Sequence, residues 1–224
     1  MKTHAYRPIP LALTMLIAVF SALVVLAVSG GHDAAAHADH AAATISKKEF
    51  VVRQEMRRLW EDHVTWTRLA VISLTTDSPD TKATVGRLLR NQTDIGNAIK
   101  PYYGAAAGRQ LTALLREHIL IAADLIAVAR KGDQAGVASQ QARWTKNADQ
   151  IATFLNRANP TWRLGATKAM MREHLRLTTQ EVVARLQRDW AADVRAYDRI
   201  HRQALHMADM LSRGLIKQFP SRFR

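Results

Sequence analysis

The sequence predicts an all-α domain of three tandem helical hairpins, and three observations carry that prediction. The chain repeats at an offset of 56 residues: Arg87, Arg143 and Arg199 head the strings RLLRNQTDIGNAI, RWTKNADQIATFL and RIHRQALHMADML. Upstream in each unit lie LWEDHVTWT, LLREHILIA and MMREHLRLT, centred on His63, His118 and His174. Apolar residues recur every three to four positions, and no strand-like alternation of useful length is present. Fixed-period similarity marks a supersecondary unit that buries its apolar face against its own copies. About six helices are expected, in one bundle or a short array.

The elements follow in chain order. Lys2 and Arg7 precede the apolar run Leu11 to Leu26, and Ala27, Val28, Ser29 and Gly30 supply a small-x-small signature. Residues 1–29 therefore read as a secretory signal peptide or as an N-terminal membrane anchor. In both cases the positive end stays inside and the body is secreted or held outside the cytoplasmic membrane. Residues 30–45, GGHDAAAHADHAAATI, are small and His/Ala-rich and make a linker. A single helical-repeat domain is expected over residues 46–220.

Ser46 with Glu49 forms a capping box, and Met56, Leu59, His63, Thr67, Ala70 and Leu74 give a first helix to about Thr76. Asp77, Ser78, Pro79 and Asp80 stop it and cap the second, which Pro101 should end. Tyr102, Tyr103 and Gly104 make the crossing to a third helix that stops at Lys131, Gly132 and Asp133. A fourth runs on Val137, Trp144, Ala148, Ile151 and Leu155 to the break at Asn159 and Pro160. From Ala166 to Arg213 there is no Gly or Pro, so local signals allow one long helix. The repeat register instead places a turn at Gln187 to Trp190, separating helices at about 164–186 and 190–217.

With 224 residues and 48% hydrophobic composition the chain can bury one sizeable core. It has no cysteine, so disulfides and thiolate metal sites are excluded. The formal charge of +13 falls to +11 without residues 1–29, which hold two basic residues and no acidic one. Such a charge suits an anionic partner in the cell envelope, but the Lys and Arg are spread along every helix and no nucleic-acid motif accompanies them.

His63, His118 and His174 are the candidate metal ligands. If the hairpins close around a pseudo-threefold axis the three converge, and neutral imidazoles suit zinc, copper or iron. In an open array they stand a helix diameter, about 10 Å, apart and share no site. The competing reading makes each a core residue bonded to Thr67, Thr178 or the recurring Asn91, Asn147 and Gln203. Asp62, Glu117 and Glu173 are expected to pair with Arg87, Arg143 and Arg199 across each hairpin. Asp198 and His201, three apart in the third unit, are secondary metal candidates, and His32, His37 and His40 could bind an ion loosely. The five tryptophans and the stretch Met207 to Met210 read as core or hairpin-capping residues. No Gly-rich phosphate loop, nucleophile elbow or nucleotide-binding strand-turn-helix is present, so the balance leans away from an enzyme.

The segments LWEDHVTWTR, EHILIAADL, NADQIATFL and MADMLSRGLIKQFP resemble a bacterial family of small helical proteins without an established function, over about residues 54–220. Some members carry the automated name acetylglutamate kinase. Amino-acid kinases are α/β proteins with Gly-rich phosphate loops, and this sequence has neither strands nor such loops, so the name does not fit. The resemblance implies an all-helical fold and transfers no catalytic residue. The function expected first is non-catalytic binding of a metal ion or small ligand by the buried histidines. The alternative is a structural or interaction module whose basic surface engages an anionic envelope component.

Overall fold

The computed structural model describes residues 45–224. The expected signal or anchor segment (1–29) and residues 30–44 of the linker, with His32, His37 and His40, lie outside the described residues. Five α-helices follow one another: α1 (Lys47–Thr76), α2 (Thr81–Arg130), α3 (Gln134–Ala158), α4 (Leu164–Gln187) and α5 (Trp190–Gln218), then a 3-10 turn at Pro220–Arg222. Among the described residues there is no strand, and no helix is long and apolar enough to cross a membrane.

Each helix starts and stops for local reasons. Ser46 Oγ accepts the Glu49 amide at 3.1 Å to begin α1. Asp77, in the left-handed region at φ 57°, ends it with its amide on the Ser73 carbonyl. Asp80 stands at the start of α2 but does not cap it through its side chain, because its carboxylate accepts from Ser73 Oγ at 2.7 Å. Asp133 and Asp189 do cap, accepting the amides of Gly136 and Ala192 at 2.9 Å.

The first arm of α2 does not end at Pro101 as expected but runs on to a sharp kink at Gly104, across which its two helical arms are continuous in sequence. The missing N–H of Pro101 weakens the last turn, yet within α2 only Gly104 leaves helical values, at φ 85° and ψ 166°. That conformation is nearly closed to residues with a Cβ. The two arms of α2 then fold back on each other. A Cβ on Gly96 would stand 2.6 Å from the Gly108 carbonyl and 1.9 Å from Thr112 Oγ1, and Arg116 donates to the Leu89 carbonyl at 3.1 Å.

The interruption between α4 and α5 falls at Arg188 and Asp189, inside the interval the repeat register indicates. Arg188 takes φ 60°, and the amides of Arg188 and Asp189 return to the carbonyls of Arg185 and Ala184. This is the glycine-type helix stop made without glycine. Trp190 beside it is 52% exposed, with the Arg185 guanidinium over its ring, so it covers the turn rather than filling the core.

The helices close into a bundle because α5 packs against α1 as well as α4. Arg57 on α1 holds both carboxylate oxygens of Asp209 on α5 at 2.7 Å. Glu61 and His201 Nε2 meet at 2.8 Å, and Arg68 reaches Glu181 on α4 at 2.7 Å and Asp193 on α5 at 2.8 Å. One continuous core joins all five helices, with Leu59, Ile121, Ile151 and Ile200 among its fully buried members.

Candidate functional site

His63 stands on α1, His118 on the second arm of α2 and His174 on α4, and closure of the bundle turns all three inward. They are 8%, 4% and 4% exposed. The rings of His63 and His174 lie 6.0 Å apart, and those of His118 and His174 6.2 Å apart. A helix diameter does not separate them; they form one layer across the core.

Each imidazole is held at Nδ1 by an amide side chain 29 residues further on. His118 meets Asn147 Oδ1 at 2.8 Å, His174 meets Gln203 Oε1 at 3.1 Å, and His63 meets Gln92 Nε2 at 3.2 Å. Asn147 and Gln203 also donate from nitrogen to the carbonyls of Leu114 and Met170, four residues before their histidines. With its N–H groups so committed, each amide presents oxygen to the ring. The ring proton is thereby placed on Nδ1, and Nε2 keeps its lone pair. Around His63 two residues divide this work. Asn91 donates to the Leu59 carbonyl at 3.0 Å, while Gln92 faces His63. The Gln92 nitrogen also contacts the Leu88 carbonyl and Asn91 Oδ1, so three acceptors compete for two protons and His63 is the farthest of them.

Burial disfavours the imidazolium form in all three rings. It pushes His63 down to about 3, helped by the neighbouring charges of His174 and His118, and His118 down to about 3, helped by His174. His174 is also lowered by burial, against the opposing bond from Gln203. All three are neutral at pH 7, the form that ligates metals and accepts hydrogen bonds. His118 Nε2 is buried with no hydrogen-bond partner.

Two small cavities share this layer. One of about 60 Å³ runs toward Ala70, Leu74, Val85 and Leu186. The other, of about 70 Å³, runs toward Met56, Ile99, Met171 and Met207. Each exceeds the roughly 10–15 Å³ that a water needs, and their apolar walls resemble those of cavities that stay dry. Trp144 flanks His118 with ring centroids 5.3 Å apart. Among the described residues no three His, Cys, Asp or Glu side chains are placed to hold an ion together.

No protein-family model, curated protein or solved structure matches the chain.

The acids adjacent to the histidines depart from expectation. Asp62 meets Arg87 at 3.2 Å as expected. Glu173 instead pairs at 2.6 Å with Arg176, one turn along its own helix, and Arg199 donates to Gln180. Glu117 accepts from Asn147 at 3.2 Å, while Arg143 turns to Gln140 and Asp124. Other partners, on the same helix for Glu173 and on the facing helix for Glu117 and Arg199, replace the expected pair, as exposed ion pairs allow at little cost. Asp198 is exposed, and His201 bonds to Glu61 rather than forming a pair with it.

Two features escaped the sequence. Gln92 looks like an ordinary neighbour of Asn91, and only the helix rotation shows which of them reaches His63. The second is the buried cluster in which Arg68 and Arg185 hold Asp193 while Arg68 also holds Glu181. Burial raises both carboxyls. Bonds from Arg68 and Arg185 overcome it at Asp193, whose value falls, whereas Glu181 shares one arginine and stays raised.

Proposed function

We propose that this domain is a non-catalytic binding protein whose ligand, a small molecule or a metal ion that takes further donors from the core, is held against His63, His118 and His174. The observation that carries this reading is His118 Nε2, a lone pair buried without a partner. Leaving such a group unmade costs about 1–3 kcal/mol, and a bound ion or donor removes that cost. The cavities give room beside the layer. Amides that fix Nδ1 orient the rings as outer-shell partners orient metal-bound imidazoles. The domain is read as three copies of one helical hairpin, each contributing a histidine and an amide, which the shared 29-residue spacing of the bonds supports. Export, by a cleaved signal or on an anchor, rests on the pattern of residues 1–29.

The test uses the full chain without a purification tag and with His32, His37 and His40 changed to Gln. Melting is followed with zinc, copper and iron salts and with chelator, and native mass spectrometry examines the protein as purified. A bound ion at a hundredfold excess over its Kd adds about 2.7 kcal/mol, and His118→Ala abolishes the gain. Equal melting in every condition, with no co-purifying species, removes this reading. The interaction module engaging an anionic envelope component, supported by the +13 charge, then becomes the better account.

A further inference from the structure

The cavity of about 70 Å³ has a wall that the histidines alone do not explain. Met56, Met170, Met171 and Met207 line it together with His63, His118 and His174. These are four of the five methionines in residues 45–224, the fifth being Met210. They arrive from α1, α4 and α5, so their meeting is a product of bundle closure. No Asp or Glu lines the cavity.

We infer that this cavity is a site for a soft monovalent metal ion, Cu(I), held jointly by imidazole nitrogens of the histidine layer and thioether sulfurs of the methionines. The inference rests on the binding role proposed for the layer and names the ion class. Thioether donors select Cu(I) over zinc or iron. No three His, Cys, Asp or Glu side chains make a site by themselves among the described residues, so the sulfurs complete the donor set. Charge points the same way. The desolvation cost of an ion grows with the square of its charge, and a wall with no anionic donor inside a strongly basic protein burdens a divalent ion far more than a monovalent one. Neutral rings need no deprotonation at pH 7, so the ion displaces no proton. Met is also a common filler of irregular cores, and the experiment separates the two roles.

The full tag-free chain, with the three N-terminal histidines changed to Gln, is titrated with silver(I) nitrate, with Cu(I) kept reduced by ascorbate under anaerobic conditions against a chromophoric competitor, and with zinc(II). One Cu(I) or Ag(I) per chain is expected, with a raised melting temperature and an X-ray absorption spectrum containing both nitrogen and sulfur scatterers; zinc leaves melting unchanged. The triple variant M56L/M171L/M207L, which conserves volume and helix propensity, keeps its helical circular dichroism but binds Ag(I) about 10- to 100-fold more weakly. Unweakened Ag(I) binding by that variant, or a larger melting shift with zinc than with Ag(I), overturns the Cu(I) assignment while leaving the histidine layer as a ligand site. If no ion shifts melting and nothing co-purifies, both fall together. Should the triple variant fail to fold, the absorption spectrum of the unaltered protein decides: nitrogen scatterers without sulfur overturn the assignment.

Discussion

His118 concentrates the energetics of the site in one ring. Its Nδ1 and the Asn147 oxygen satisfy each other in a setting where both residues are buried, while its Nε2 remains unmatched. His118→Ala without added ligand therefore leaves Asn147 Oδ1 without its partner and opens a hole beside Trp144. The expected cost is about 1–3 kcal/mol, read from urea unfolding of the two proteins side by side. A loss below about 0.5 kcal/mol, the range of ordinary surface changes, would show that the bond contributes nothing to the apo fold. The histidines, Asn147 and Gln203 are legible in the sequence because they recur in one register, whereas Asn91, expected in the same role, goes to the Leu59 carbonyl and leaves His63 to Gln92. The methionine wall was not legible: Met56, Met171 and Met207 belong to three helices, and nothing in their local spacing says they meet.

At the level of elements, turn chemistry decided what could be read in advance. The stop at Arg188 has no Gly or Pro to announce it, and in the sequence only the 56-residue register points to it. Gly104 carries the opposite lesson. Its position in the crossing is visible in the sequence, where Pro101 is the expected helix stop; the backbone shows that Gly104 makes the reversal instead. The arms on either side touch through Gly96 and Gly108, where a Cβ meets the facing backbone carbonyl as well as the side chains of Thr112 and Lys100. Gly96→Ala should accordingly destabilise by about 1–3 kcal/mol through overpacking. Gly86→Ala, with open space around it, should stabilise by about 0.5–1 kcal/mol through the better helix former. Urea midpoints should move in opposite directions, and a gain in both would mean the arms are not in contact. Of the expected cross-hairpin ion pairs only Asp62 with Arg87 forms: Glu173 finds Arg176 three residues along its own helix, and Glu117 is taken by Asn147.

For the whole molecule, the neutral histidine layer sets an acid limit. Unfolded histidines titrate near pH 6.5, whereas folded His63 and His118 do so at about 3. Between those values the unfolded chain binds more protons than the folded one. Stability is thus complete above about pH 6.5 and is lost as pH falls toward 3, by about 1.4 kcal/mol per pH unit for each ring. His174 acts in the same direction. Glu181, whose folded value is raised by burial, acts oppositely in the carboxylate range and returns part of the loss at the acidic end. Urea unfolding at pH 7 and pH 5 should show a steep decline, and equal midpoints would mean the rings are protonated or hydrated in the folded protein.

Closure of the bundle also imposes an order on its making. One flank of α1 is covered mainly by α5, through Arg57 with Asp209, Glu61 with His201 and Arg68 with Asp193, and the Ser46 hydroxyl donates to the carbonyl of Phe223. These partners are separated by 125 to 177 residues of chain. An open repeat array can fold from either end as it is synthesised. Here α1, the first of the described helices, waits for the last: its apolar edge stays bare until α5 docks, during the interval in which exposed surface of this kind invites aggregation.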